Sequence, residues 1–124
     1  IVSRNPLTVI DGAHNIDGAK ALSEFLREQT QKVTVICAMM KDKAYEDFVK
    51  EISPFADTFI ATEVENERCL KAEFLFETAS KYVKNAVCKK DIKSAIKYAN
   101  SIKKPIFIVG SLYLAGKVRK YYNK

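Results

Sequence analysis

Five short apolar runs, each followed by a stretch with helical spacing, constrain this chain more than any other feature. The runs are Leu7-Thr8-Val9-Ile10, Val33-Thr34-Val35-Ile36-Cys37-Ala38, Thr58-Phe59-Ile60-Ala61-Thr62, Ala86-Val87-Cys88 and Ile106-Phe107-Ile108-Val109. The second is nearly all apolar, as expected of a parallel strand buried on both faces. Between them apolar residues recur every three to four positions. Ala19, Leu22, Phe25 and Leu26 mark a helix from about 15 to 28, and Phe48, Val49 and Ile52 one over 45–52, ended by Ser53-Pro54. Ala72, Leu75, Phe76, Ala79, Tyr82 and Val83 mark a helix over about 70–84. Ile92, Ala95, Ile96, Ala99 and Ile102 point inward from one starting at Asp91, and a last helix follows Gly110-Ser111-Leu112-Tyr113 to about Tyr121. Such alternation predicts an α/β fold, a mostly parallel sheet of five to six strands with helices on both faces and right-handed crossovers. At 124 residues the chain is one domain, 1–124.

Composition narrows the class. Hydrophobic residues make up 48% and charged residues 29%, the balance of a soluble globular domain. No apolar run approaches the ~20 residues that cross a bilayer, and no secretory pattern is present, so a cytoplasmic protein without membrane contact is expected. The net charge of +6 favours anionic ligands. Its lysines are spread over helix faces, where they read as solvating groups, with a cluster at Lys117, Arg119, Lys120 and Lys124. No specific nucleic-acid site is expected. Three cysteines with no CxxC pair, and a single histidine, argue against a structural zinc site. Cys37 and Cys88 lie in strand-like runs and are expected as buried, reduced thiols. The chain begins at Ile1 rather than methionine, so a piece of a longer protein is expected.

In a parallel sheet every β-to-α loop opens on one edge, beyond the carboxyl ends of the strands, and ligands bind there. The first such loop is Asp11-Gly12-Ala13-His14-Asn15. Asp11 can accept two hydroxyl hydrogen bonds, as a ribose requires. Gly12 permits a tight turn, and His14 can donate, accept or titrate. Capping of the next helix by Asp11 or Asn15 explains one polar residue but not three. Lys41-Asp42-Lys43 places two cations around a carboxylate; the alternative is a solvated loop with Asp42 as N-cap. Arg68 could clamp a carboxylate in two-pronged fashion, or simply be solvated. Gly110-Ser111 offers backbone N–H groups to an anion at a helix start, or is a strand-end glycine with a serine cap. The chain has no GxGxxG, GxxxxGK[ST] or GxSxG motif, so it cannot by itself cradle nucleotide phosphates in the usual way.

Asp11-Gly12-Ala13-His14-Asn15 after an apolar strand resembles the DGAHN signature of folylpolyglutamate synthases, including bifunctional dihydrofolate synthases. The segment from Ile108 to Arg119 is similar to the GSLYL.G.VR segment of the same family. Met39 to Lys43 resembles its M.DKD loop, and Ala61-Thr62-Glu63 falls where a strand-end threonine is expected. The chain departs from the family at Ile16, where proline usually follows DGAHN, and at Asn66-Glu67-Arg68-Cys69, which lacks the proline often found before that arginine. The resemblance covers essentially the whole chain and implies a Rossmann-like Mur-ligase C-terminal domain. The N-terminal ATPase domain, with the phosphate loop and most magnesium ligands, would lie outside this sequence.

It further implies an ATP-dependent carbon–nitrogen ligase of folate metabolism, inactive as the isolated fragment. ATP and Mg2+ would be its cofactors, folate polyglutamate and L-glutamate its substrates, and its own N-terminal domain its partner. Carried over by position, Asp11, Gly12 and Asn15 would meet the nucleotide. His14 and Ser111 would lie near the incoming glutamate and the acyl phosphate. Lys41, Asp42 and Arg68 would be substrate-binding cleft residues. The alternatives are another Mur-type ligase, or a free-standing α/β binding module with a basic surface.

Overall fold

The structure, a computed structural model, describes residues 1–4 and 6–123; Lys124 of the C-terminal basic cluster lies outside the described residues. A short strand β1 (Ser3–Arg4) precedes β2 (Leu7–Ile10). Then follow α1 (Ile16–Arg27), β3 (Val33–Cys37), α2 (Tyr45–Ile52), a 3-10 turn at Ser53–Phe55, β4 (Ala56–Ala61) and α3 (Ala72–Ser80). The chain ends with β5 (Asn85–Cys88), α4 (Ile92–Ile102), β6 (Ile106–Val109) and α5 (Leu112–Tyr122).

The strands form one six-stranded sheet in the order β1-β2-β6-β3-β4-β5, parallel except at β1. From β2 to β5 every crossover steps the same way across the sheet. Right-handed connections therefore place α1, α2 and α3 on one face. The step from β5 back to β6 reverses direction and puts α4 on the other face, where α5 joins it. Alternation along each strand fills the two sides. Val33, Val35, Cys37, Phe59, Phe107 and Val109 pack beneath α1–α3. Ile36, Ile60, Ile106 and Ile108 pack beneath α4 and α5 with Ala95, Ile96, Leu114 and Val118. All five residues of β3 are buried, as its nearly unbroken apolar run predicts.

Several boundaries differ from the sequence expectation. The antiparallel β1 was not foreseen: two residues are too short to show a period. Strand β4 begins at Ala56, not Thr58. Helix α3 (Ala72–Ser80) is shorter than 70–84, and at its start this is because that flank has other partners. The Leu70 N–H donates to the Met39 carbonyl at 2.8 Å, and Met40 bridges Cys69. Tyr82, expected on the inward face, lies beyond the end of α3 and is exposed; its hydroxyl donates to Glu46 at 2.7 Å. Phe25 is half exposed, with its ring 5.7 Å from that of Phe107. Cys88 is only partly buried because β5 is an edge strand, whereas Cys69 is buried. No helix among the described residues is long and apolar enough to cross a membrane.

Phe59 is fully buried on β4 between the sheet and the α1–α3 layer. Phe59→Ala should cost ~3–5 kcal/mol, transfer and cavity terms together. Since a domain of this size holds only ~5–15 kcal/mol, the urea midpoint should fall steeply. A midpoint like that of the unmodified protein would show that this layer is not the main core.

Candidate active site at the carboxyl rim

In the loop after β2, one side-chain atom of each of Asp11, His14 and Asn15 is bound to nearby backbone. Asp11 Oδ1 accepts the Ala13 N–H at 2.8 Å. His14 Nδ1 lies 2.9 Å from the Gly12 carbonyl oxygen. A carbonyl only accepts, so Nδ1 donates in this contact, and Nε2 is the ring nitrogen left for another partner. Asn15 caps α1, its Oδ1 accepting the Gly18 N–H at 2.9 Å. His14 is half-buried rather than packed into the core, and Asp11 is also half-buried. With Asn15, Gly18, Ala21 and Phe25 they line an open groove of about 480 Å³ running down α1.

Strand β6 brings a second loop against this turn. The Gly110 N–H donates to the Ala13 carbonyl at 2.7 Å, and the Asp11 N–H donates to the Ile108 carbonyl at 2.9 Å. Gly110 has φ +102°, a backbone region that side chains strain to enter. A Cβ there would also meet Cys37 Sγ and Met39 Sδ at 2.8 Å and run into the Ala38 carbonyl. Only glycine fits. Ser111 is buried and caps α5, its Oγ accepting the N–H groups of Tyr113 at 3.1 Å and Leu114 at 3.3 Å. Of the two sequence readings of Gly110-Ser111, serine capping is therefore present; the hydroxyl hydrogen remains able to donate. Asp11, Gly12, His14, Asn15 and Ser111 thus share one corner of the rim.

Lys41, Asp42 and Arg68 sit elsewhere on that rim. β3 lies two strands from β2 and β4 three, so at ~4.8 Å per strand their loops lie ~10–15 Å along the edge. Arg68 Nη2 is 2.7 Å from Asp42 Oδ2, and the Lys41 N–H donates to the Arg68 carbonyl at 2.7 Å. Asp42 is not the α2 cap: Ala44 holds that position without a side-chain bond. The Arg68 hydrogen bond, first, and the nearby cations hold the Asp42 carboxyl below its usual range. Both side chains are more than half exposed, and this pair lies outside the groove along α1. Sequence reasoning missed Glu63, which accepts the Ala72 N–H at 2.9 Å and so caps α3 from nine residues away; local spacing carries no signal for that. Burial pushes the Cys37 thiol far up, with Cys69 adding to the effect, so it is not a reactive nucleophile. Among the described residues no group of three or more His, Cys, Asp or Glu side chains could hold a metal ion.

The family model described as "Dihydrofolate synthetase, C-terminal domain" matches residues 1–121. The chain belongs to that family. The domain is 32% identical over 123 residues to the folylpolyglutamate synthase of Lacticaseibacillus casei, aligning 96% of this chain with 28% of that protein. It is 26% identical over 125 residues to the dihydrofolate synthase/folylpolyglutamate synthase of Bacillus subtilis, 97% of this chain and 29% of that one. Its fold matches Mycobacterium tuberculosis folylpolyglutamate synthase complexed with ADP and AMPPCP, at TM-score 0.93 and 23% identity, over 99% of this chain and 31% of that one. The domain therefore spans under a third of each of these proteins.

Two outcomes follow from the geometry. Ser111→Ala removes the α5 cap and should lower stability by ~1 kcal/mol in urea unfolding; no change would show that the two N–H bonds contribute nothing. Arg68→Ala should move the Asp42 titration upward, toward the ordinary carboxylate value, as read by carboxyl-carbon NMR. The sign follows from the pairing: the ionised form is favoured only while the guanidinium is beside it, so its contribution is lost as pH falls through the depressed value. An unmoved titration would mean the pair does not form in solution.

Proposed function

We propose that this domain is the C-terminal part of an ATP-dependent carbon–nitrogen ligase that adds glutamate to the γ-carboxylate of folyl(poly)glutamate. Its reading as domain 1–124 of a longer chain, preceded by an ATPase domain, rests on the family it belongs to and on its relatives' length. One observation carries the chemistry: the turn bearing Asp11 and His14, beside an open groove, is hydrogen-bonded through Ala13 to Gly110, next to Ser111, at one corner of the carboxyl rim.

In this reading the phosphoryl group of ATP activates the carboxylate as an acyl phosphate, and the glutamate amine displaces phosphate to form the amide. Asp11 has one oxygen held by Ala13 and one left over, which fits a ribose hydroxyl. Gly12 and Asn15 hold the nucleotide side of the turn. His14 Nε2 faces the incoming glutamate as an acceptor, and Ser111 keeps the start of α5 turned toward the acyl phosphate. Lys41, Asp42 and Arg68 form a separate patch for glutamate carboxylates. In this reading the Mg2+ ligands, like the phosphate loop, lie mainly in the preceding domain. Closure of two domains shields the acyl phosphate from water until the amine arrives. A net charge of +6 suits ATP and a polyanionic tail, and the reading places the protein in the cytoplasm.

In the full-length protein, Asp11→Ala and His14→Ala should each lower glutamate ligation by ~10²-fold or more while circular dichroism stays unchanged, in line with the loss of a positioning or proton-transfer group. Undiminished turnover in both variants would refute the site. Activity on muramyl peptides rather than folates would reassign the substrate.

A further inference from the structure

Beyond the ends of β3 and β4 two loops run side by side as a short antiparallel ribbon. The Lys41 N–H donates to the Arg68 carbonyl at 2.7 Å, the Leu70 N–H donates to the Met39 carbonyl at 2.8 Å, and Met40 bridges Cys69. Met40 and Cys69 are buried, so the ribbon is anchored in the core. Asn66 closes a turn just before it. Its Oδ1 accepts the Arg68 N–H at 2.8 Å, and its carbonyl accepts the Cys69 N–H at 2.9 Å. Both backbone polar groups of Arg68 are therefore committed. Its side chain then leans on Asp42 through one contact, Nη2 to Oδ2 at 2.7 Å. Among the described residues no other group accepts from this guanidinium, so most of its N–H donors remain available.

We infer that Asp42 and Asn66 are positioning residues for Arg68: together they fix the direction of its guanidinium, whose remaining N–H edge takes a carboxylate of the incoming glutamate, and neither touches that substrate. The inference rests on the proposed ligase reading and separates the roles within the patch of Lys41, Asp42 and Arg68 named there. Charge gives the first reason. An ionised Asp42 repels a carboxylate, so its place among cations that would bind one is explained by what it does to Arg68. The Arg68 hydrogen bond in turn keeps Asp42 ionised. The second reason is that the fold does not need the pair. The ribbon is already closed by backbone bonds, and an ion pair with both side chains 55% exposed adds little stability. Entropy gives the third. A free arginine side chain samples many rotamers, and freezing them on binding weakens the complex. A guanidinium already leaning on a carboxylate presents its planar fork in a set direction. Asn66 acts one step further back, fixing where the side chain leaves the main chain. Lys41 and Lys43 flank Asp42 and add attraction, but an ammonium is a point charge and sets no direction.

The test is steady-state ligation by the full-length protein, with L-glutamate varied and ATP and folate saturating. Asp42→Asn should raise the KM for glutamate about tenfold with a much smaller change in kcat, the size expected when a charge-assisted contact is weakened through its partner. Asn66→Ala should raise it in the same direction, and Asn66→Asp, which keeps the accepting oxygen, should restore it. Arg68→Ala should raise it at least as far as Asp42→Asn. Adding Asp42→Asn to Arg68→Ala should then change nothing more, since a residue that acts only through Arg68 has no effect once Arg68 is gone. A full further increase in the double variant overturns the inference and makes Asp42 a ligand of the glutamate ammonium. An unchanged or lowered KM in Asp42→Asn also overturns it. A second readout needs no turnover: nitrogen relaxation of the Arg68 Nε–H group in the full-length protein without substrates. That group is ordered in the wild type and loosened by Asp42→Asn, and equal order in both overturns the inference. A protein that attaches no glutamate to folates refutes the proposed function instead, and the relaxation contrast then decides the positioning of Arg68 by itself.

Discussion

The candidate site hangs on the insertion of β6 between β2 and β3, and on the hydrogen bonds that join its end to the turn after β2. The Gly110 N–H reaches the Ala13 carbonyl at 2.7 Å, and φ +102° at Gly110 then turns the chain into α5. No side chain fits at that point, since the Cys37–Met39 segment of the neighbouring strand end presses against it. Strand order and glycine chemistry together join two loops that are about a hundred residues apart in sequence.

That lock makes the turn after β2 rigid by local bonds rather than by burial. One oxygen of Asp11, one nitrogen of His14 and the oxygen of Asn15 are all committed to backbone groups within three residues. Each of these bonds also orients what is left. Among the described residues the second Asp11 oxygen, His14 Nε2 and the Asn15 amide nitrogen are left uncommitted and held in place by those bonds. Binding sites work by such prior positioning, which removes part of the entropy cost of ordering the complex. The Asp42–Arg68 pair is of a different kind, more than half exposed, and contributes little to stability.

Much of this was legible in the residues. The alternation of apolar runs and helical spacing identified five strands and five helices, and the parallel arrangement followed. Asp11, His14 and Asn15 stood out as a polar run at a strand end. What could not be read has common causes. β1 has two residues and no period. The shortening of α3 comes from Met39 and Met40, some thirty residues away, which take the backbone groups of Leu70 and Cys69. Asp42 looked like a cap because caps are local, yet its partner is Arg68, 26 residues on. Tyr82 kept the helical spacing but lies past the end of the helix.

By itself the sequence determined five of the six strands, the five helices and the polar run that turns after β2, because each depends on neighbours a few residues apart. The tertiary structure decided the strand order, the approach of the Gly110-Ser111 loop to the Asp11 turn, and the separation of Arg68 from both. Those depend on crossover direction and on contacts across the sheet, where the free energy lies in pairs of surfaces and leaves no period in either one.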